Sequence, residues 1–137
     1  MRKAILLLII PLTLSACNSL DRVDRKKKSY QKTTEEIGEI ERKTPKEFLT
    51  VVVNDKKNMV GQTVVKGSIT NIAKVATFKD VDIRLTFYSK TKSVLEQDVE
   101  TIYETVGPGN SAPFKSKFFA PKGSDSVGAE VLTAKVP

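Results

Sequence analysis

Cys17 is the only cysteine in the chain, and histidine is absent. Those two facts remove most side-chain chemistry: no Ser-His-Asp or Cys-His nucleophile, no zinc site of His and Cys, and no intramolecular disulfide. One thiol and the carboxylates stay open, since acids can work in pairs or hold hard cations with neither residue. Asp80 and Asp82 occupy alternate positions of one stretch, and Glu96, Asp98 and Glu100 alternate positions of the next. If those stretches pair as strands, the five acids form a strip able to hold a cation such as calcium and would be the only support for an enzyme. A solvated sheet face, with Arg84 and nearby lysines paired across strands, is the plainer expectation, because loops supply most oxygen-ligand sites. No Ser-x-x-Lys on a helix stands out, and Gly107-Pro108-Gly109 lacks the Gly-Lys-Ser/Thr that a phosphate loop requires.

The thiol has a specific setting. Arg2 and Lys3 precede an uncharged stretch from Ala4 to Leu14, and Leu14-Ser15-Ala16 leads directly into Cys17. A cationic tip, a short apolar run and small residues make up an export signal. The run is shorter than the roughly 20 apolar residues of a membrane span and contains Pro11. Leu14 to Cys17 match the bacterial lipobox, in which the cysteine sulfur receives a diacylglyceryl group and cleavage occurs just before it. Residues 1–16 are therefore expected to be removed and Cys17 to carry diacylglycerol and an N-acyl chain, with no other cofactor. Two or three acyl chains hold a protein stably where one does not.

The next segment, residues 17–44, reads as a charged linker. It has few large apolar side chains, and Arg25-Lys26-Lys27-Lys28 lies close enough to the lipid to meet anionic headgroups. Thr33 and Glu36 have capping-box spacing, and Glu39 stands four residues before Lys43, so a short helix fits there, weakened by Gly38. The linker is expected to be flexible or partly helical. Net charge is +7 for the full chain, and residues 1–16, with Arg2 and Lys3 and no acid, account for two of it.

From Pro45 the composition turns Val-rich, and residues 45–137 are expected to form one mainly β domain. Phe48 to Val53 is a β-branched run stopped by Asn54-Asp55. Val60 to Asn71 places Val65, Gly67, Ile69 and Asn71 on one face, and Lys79 to Tyr88 places Val81, Ile83, Leu85 and Phe87 on one face. Ser89 to Ser93 is a polar turn, and Val94 to Val106 a further strand with no clear inner face. After the turn Gly107-Pro108-Gly109-Asn110, Phe114, Ser116 and Phe118 alternate with Lys115 and Lys117, and a last strand runs from Val127 to Ala134. Short alternating strands broken by turns at this spacing predict an antiparallel β-sandwich of six to seven strands.

The stretch Val65-x-Gly67-x-Ile69-x-Asn71, then Val81-x-Ile83-x-Leu85-Thr86-Phe87-Tyr88-Ser89, Val94-Leu95 and Pro108 to Phe114 resembles the FxLYD-type immunoglobulin-like domain of bacterial envelope proteins. The likeness covers residues 60–135. Leu85 stands where Phe is usual, Phe87 where Leu is usual, Tyr88 agrees and Ser89 replaces Asp. The resemblance implies an immunoglobulin-like sandwich without enzymatic activity. In physical terms Gly67 would admit a neighbouring chain closely, and Asn71 would bond backbone at the strand end.

These readings converge on a non-enzymatic envelope lipoprotein at the cell membrane or outer membrane of a bacterium, its domain facing periplasm or exterior. Asn18 after the cysteine resembles outer-membrane sorting in enteric bacteria. The expected partners are the membrane, through the lipid, and an envelope protein or polysaccharide met by a surface or open strand edge. Gly107 to Asn110 is the candidate partner-binding loop. In the alternative of an inhibitor or immunity-type protein, that loop would block an envelope hydrolase. Nucleic acid is not expected, because export separates the domain from it and the basic excess lies in the linker.

Overall fold

The computed structural model describes residues 19–137, with side-chain environments from Arg22 onward. Cys17 and its lipobox, Leu14, Ser15 and Ala16, lie outside the described residues. The chain divides into two units at Lys32/Thr33. Helix α1 (Ser19–Lys43) crosses that boundary. The compact unit from Thr33 onward thus includes the last turns of α1, which composition alone assigns to the linker.

The helix follows from long straight side chains. Arg, Lys, Glu and Gln predominate, Asp24 stands four residues before Lys28 and Glu39 four before Lys43, and Arg42 and Lys43 complement the dipole in the last turn. Residues 22–36 are exposed on every side, whereas Gly38 and Glu41 are buried. The helix ends where the Thr44 backbone N–H and hydroxyl both donate to the Ile40 carbonyl and Pro45 follows. A single turn, α2 (Pro45–Phe48), leads into the first strand.

Six strands make two antiparallel three-stranded sheets. One holds β1 (Leu49–Lys57), β2 (Thr63–Asn71) and β5 (Ser111–Phe118) in the order β1-β2-β5. The other holds β3 (Lys79–Ser89), β4 (Val94–Ile102) and β6 (Ser124–Lys135) in the order β4-β3-β6. This is the antiparallel sandwich that the alternation predicts. Val65 and Ile69 from one sheet meet Val81, Ile83 and Leu85 from the other, all inaccessible to solvent. Phe87 and Phe118 close the core across the sheets, edge to face at 5.9 Å.

Gly67 explains how two of these strands pack. A Cβ there would lie 2.5 Å from the Phe114 ring and 2.7 Å from the Val52 carbonyl oxygen. Only glycine lets Phe114, its partner across the β2–β5 ladder, lie over the strand.

Several boundaries differ from the sequence reading: α1 begins at Ser19 rather than near Thr33, β6 begins at Ser124 rather than Val127, and three strand ends move. Asn54 and Asp55 do not stop β1; they pair with Lys66 and Val65, and the strand continues to Lys57. The turn is made by Asn58, whose Oδ1 accepts from the Val60 and Gln62 N–H groups, so β2 starts at Thr63 rather than Val60. β4 ends at Ile102, and Val106 returns only as an isolated bridge to Phe78.

Candidate functional site

Register decides what the acids can do. Glu96, Asp98 and Glu100 sit opposite Phe87, Leu85 and Ile83, the core-facing set of β3, whereas Asp82 sits opposite Thr101. Directly paired residues share a face, so Asp82 lies on the opposite side of the sheet from the three β4 acids. Asp80 takes φ 46° where the β3–β6 register shifts and faces Lys135 at 3.4 Å. The expected five-acid strip is therefore two separate groups. Asp82 accepts from the Thr101 hydroxyl, and Arg84 pairs with Glu130 of β6 at 2.7 Å. Among the described residues no three carboxylates converge on a metal position.

Glu100 is the one β4 acid that turns inward. Its Oε1 accepts from the Ser116 hydroxyl across the gap between the sheets, and its Oε2 is buried without a hydrogen-bond partner. It thereby joins β4 to β5, one edge strand of each sheet.

β4, an edge strand, is the most exposed strand of the domain. Residues 94–99 are all exposed, and the strand, Val94-Leu95-Glu96-Gln97-Asp98-Val99-Glu100-Thr101-Ile102, contains neither Lys nor Pro. The Val99 N–H donates to the adjacent Asp98 carboxylate at 2.9 Å, which directs that N–H, and by alternation that of Gln97, to the open side. The edge on β5 is different. It carries Pro113, Lys115 and Lys117, the residue types that block strand addition.

The loop Gly107 to Asn110 is exposed at Pro108, Gly109 and Asn110 but firmly tied. The Asn71 N–H donates to the Asn110 carbonyl, and the Gly109 N–H to the Asn71 carbonyl, both at 2.9 Å. The Asn71 side chain, fully buried, donates to the Ala76 carbonyl at 2.8 Å and the Val106 carbonyl at 2.9 Å and accepts from the Ala73 N–H at 2.9 Å. Asn71 thus bonds backbone at its strand end, as its position predicts, and joins the β2–β3 and β4–β5 connections.

Glu41 is a residue that sequence reasoning missed. Its carboxylate, 2 % exposed, accepts three backbone N–H bonds from the β2–β3 connection: Lys74 at 2.7 Å, Val75 at 2.9 Å and Ala76 at 2.8 Å. Burial pushes its pKa up, but the three N–H bonds, helped by Arg42, outweigh that and hold it below the usual glutamate value. Gly38 eases the approach, since a Cβ there would stand 3.2 Å from the Val75 side chain. The only hint in the sequence is glycine within a helical pattern, which marks a close contact as readily as a weak helix.

Neither a protein-family model nor a curated protein matches the chain, so the FxLYD likeness rests on the residues quoted for it. Among solved structures the chain is similar to the trimeric lipoprotein SadB of Salmonella enterica, at 11 % identity and a TM-score of 0.44, over 82 % of this chain and 77 % of that one.

Proposed function

We propose that this protein is a lipid-anchored envelope lipoprotein whose sandwich works by binding rather than by catalysis, with the free edge of β4 as its docking surface. The observation that carries the binding reading is the exposed β4 edge, which has neither Lys nor Pro, against a β5 edge that carries Pro113, Lys115 and Lys117. The anchor reading rests on Leu14 to Cys17 and the signal before them. Among the described residues no helix is long and apolar enough to cross a membrane, and lipid on Cys17 supplies the attachment.

The edge also specifies its partner. Glu96 and Asp98 are exposed acids on one face, while Leu95, 40 % exposed, and Val99, 57 % exposed, are apolar positions on the other. A strand added there pairs its alternate side chains with those two rows. The fitting ligand is an extended segment that alternates basic and apolar residues.

Gln97→Pro tests this. The substitution removes an N–H aimed at the open side and leaves the backbone ladder to β3 intact, losing the Gln97 Nε2 bond to the Thr86 hydroxyl at 3.3 Å, so the fold's stability falls by about 1–2 kcal/mol. A synthetic peptide alternating Lys and Val is expected to slow amide exchange at Gln97 and Val99 in the unaltered protein and to bind Gln97→Pro at least about tenfold more weakly. Equal binding by both proteins, or protection located elsewhere, would refute the edge.

A second reading, inhibition of an envelope hydrolase, draws on the rigid exposed loop Gly107 to Asn110. A pre-organised loop loses little entropy when it enters an active-site cleft. Hydrolase assays with and without the purified protein separate the two.

A further inference from the structure

The end of the sandwich away from Glu41 carries a second surface. Three connections gather there: the β1–β2 turn, the β3–β4 turn and the β5–β6 loop. They are neighbours, because the Lys57 ammonium donates to the Ser124 carbonyl at 3.4 Å and Ser124 pairs with Ser89 at the end of β3. Met59 and Val60 on the first turn and Phe119 on the β5–β6 loop expose nearly all of their apolar surface, at 107 %, 78 % and 79 %.

This exposure is built into the backbone. Asn58 Oδ1 holds the Val60 and Gln62 N–H groups, Asn58 Nδ2 donates to Gln62 Oε1, and Gly61 takes φ +82°. That arrangement presents Met59 and Val60 outward in a fixed turn. Single exposed apolar residues are ordinary, whereas three gathered on adjoining loops at one end of the sandwich are a candidate contact surface.

The charges around this surface identify its partner. Lys90, Lys92 and Lys122 are exposed on these connections and Lys57 at the end of β1, against two exposed acids in the adjoining strand starts, Glu96 in β4 and Asp125 in β6. A soluble polyanion would satisfy the lysines and leave Met59, Val60 and Phe119 in water. A bilayer satisfies both: apolar tips enter the acyl boundary while lysine ammonium groups reach headgroup phosphates.

We propose that this loop end seats on an anionic phospholipid surface, so that the lipidated chain engages a bilayer at its tip as well as through Cys17. The surface is separate from the β4 edge. The engagement through Cys17 rests on the anchor reading above, which the test measures by itself.

The test anchors the full-length lipidated protein in neutral phosphatidylcholine vesicles, with flotation reporting attachment through Cys17. Fluorescent target vesicles are then added, either phosphatidylcholine alone or with about one third phosphatidylglycerol, and tethering is read by co-flotation. Phosphatidylglycerol targets are expected to be captured at least about tenfold better than neutral ones. Combining Met59→Ser, Val60→Ser and Phe119→Ser should lower capture by at least about tenfold with the melting temperature unchanged. Combining Lys90→Gln, Lys92→Gln and Lys122→Gln should abolish the preference for phosphatidylglycerol. If the protein fails to anchor, the same variants are sedimented directly with the anionic targets, so the tip is judged either way. Undiminished capture by the apolar triple variant, equal capture of both targets, or binding only to soluble polyphosphate or to a protein would overturn the proposal.

Discussion

Glu41→Ala is expected to lower the unfolding free energy by about 3 kcal/mol, because it leaves three backbone N–H groups, one buried and two partly buried, without their acceptor. Those groups belong to Lys74, Val75 and Ala76, and among the described residues Glu41 is their acceptor. The loss should be local before it is global. Amide exchange at these three positions accelerates first, and the last turns of α1 lose their hold on the sandwich. Glu41→Gln should fall between, since one amide oxygen can still accept while its NH2 faces an N–H.

The same contact makes stability depend on pH in a definite direction. The folded pKa of Glu41 is depressed relative to the unfolded chain, so its contribution is complete above the unfolded value of about 4.3 and disappears as pH falls through the folded value. Denaturant midpoints measured from neutral pH downward should show a constant gap between the unaltered protein and Glu41→Gln, which narrows once the pH drops below about 4. A gap that stays constant into strong acid would mean that the ionised carboxylate is not what holds the connection.

Asn71→Ala should cost a similar amount, about 3 kcal/mol, through loss of one accepted and two donated hydrogen bonds in a fully buried setting. Asn71→Asp should be worse than alanine, because an ionised carboxylate would face the carbonyls of Ala76 and Val106. Both variants should loosen the loop Gly107 to Asn110, although the backbone bonds between Asn71 and that loop remain available. Urea melts give the free energies, and exchange at Gly109 and Asn71 reports the loop. An Asn71→Asp protein as stable as Asn71→Ala would show that the side chain is not donating to those carbonyls.

The interior strands are legible because each has one dry face. Val81, Ile83, Leu85 and Phe87 alternate strictly with polar residues and are all buried, and Gly67 and Asn71 occupy the close approach and strand end that their chemistry suits. β4 is not legible in this way. As an edge strand with both faces wet over most of its length, it has no apolar period, and only pairing with β3 reveals that Glu96, Asp98 and Glu100 share a side with the core residues. The β1–β2 turn is misread for a related reason. Asn54 and Asp55 have turn chemistry, yet the ladder to β2 overrides it and passes the turn to Asn58. Glu41 is invisible from sequence because a buried carboxylate and a solvated one look alike on a charged helix. Its role depends on backbone N–H groups supplied more than 30 residues later.

The proposed docking edge and the proposed membrane-seating loop end both presuppose a protein anchored through Cys17. Intact-mass measurement of the full-length protein extracted from bacterial membranes tests that most directly. The expected mass is that of a chain beginning at Cys17 with a diacylglyceryl group and an added acyl chain, partitioning into detergent, and Cys17→Ser should abolish both the lipid mass and the partitioning. A chain that begins elsewhere, carries no lipid, or behaves identically after Cys17→Ser would contradict the account.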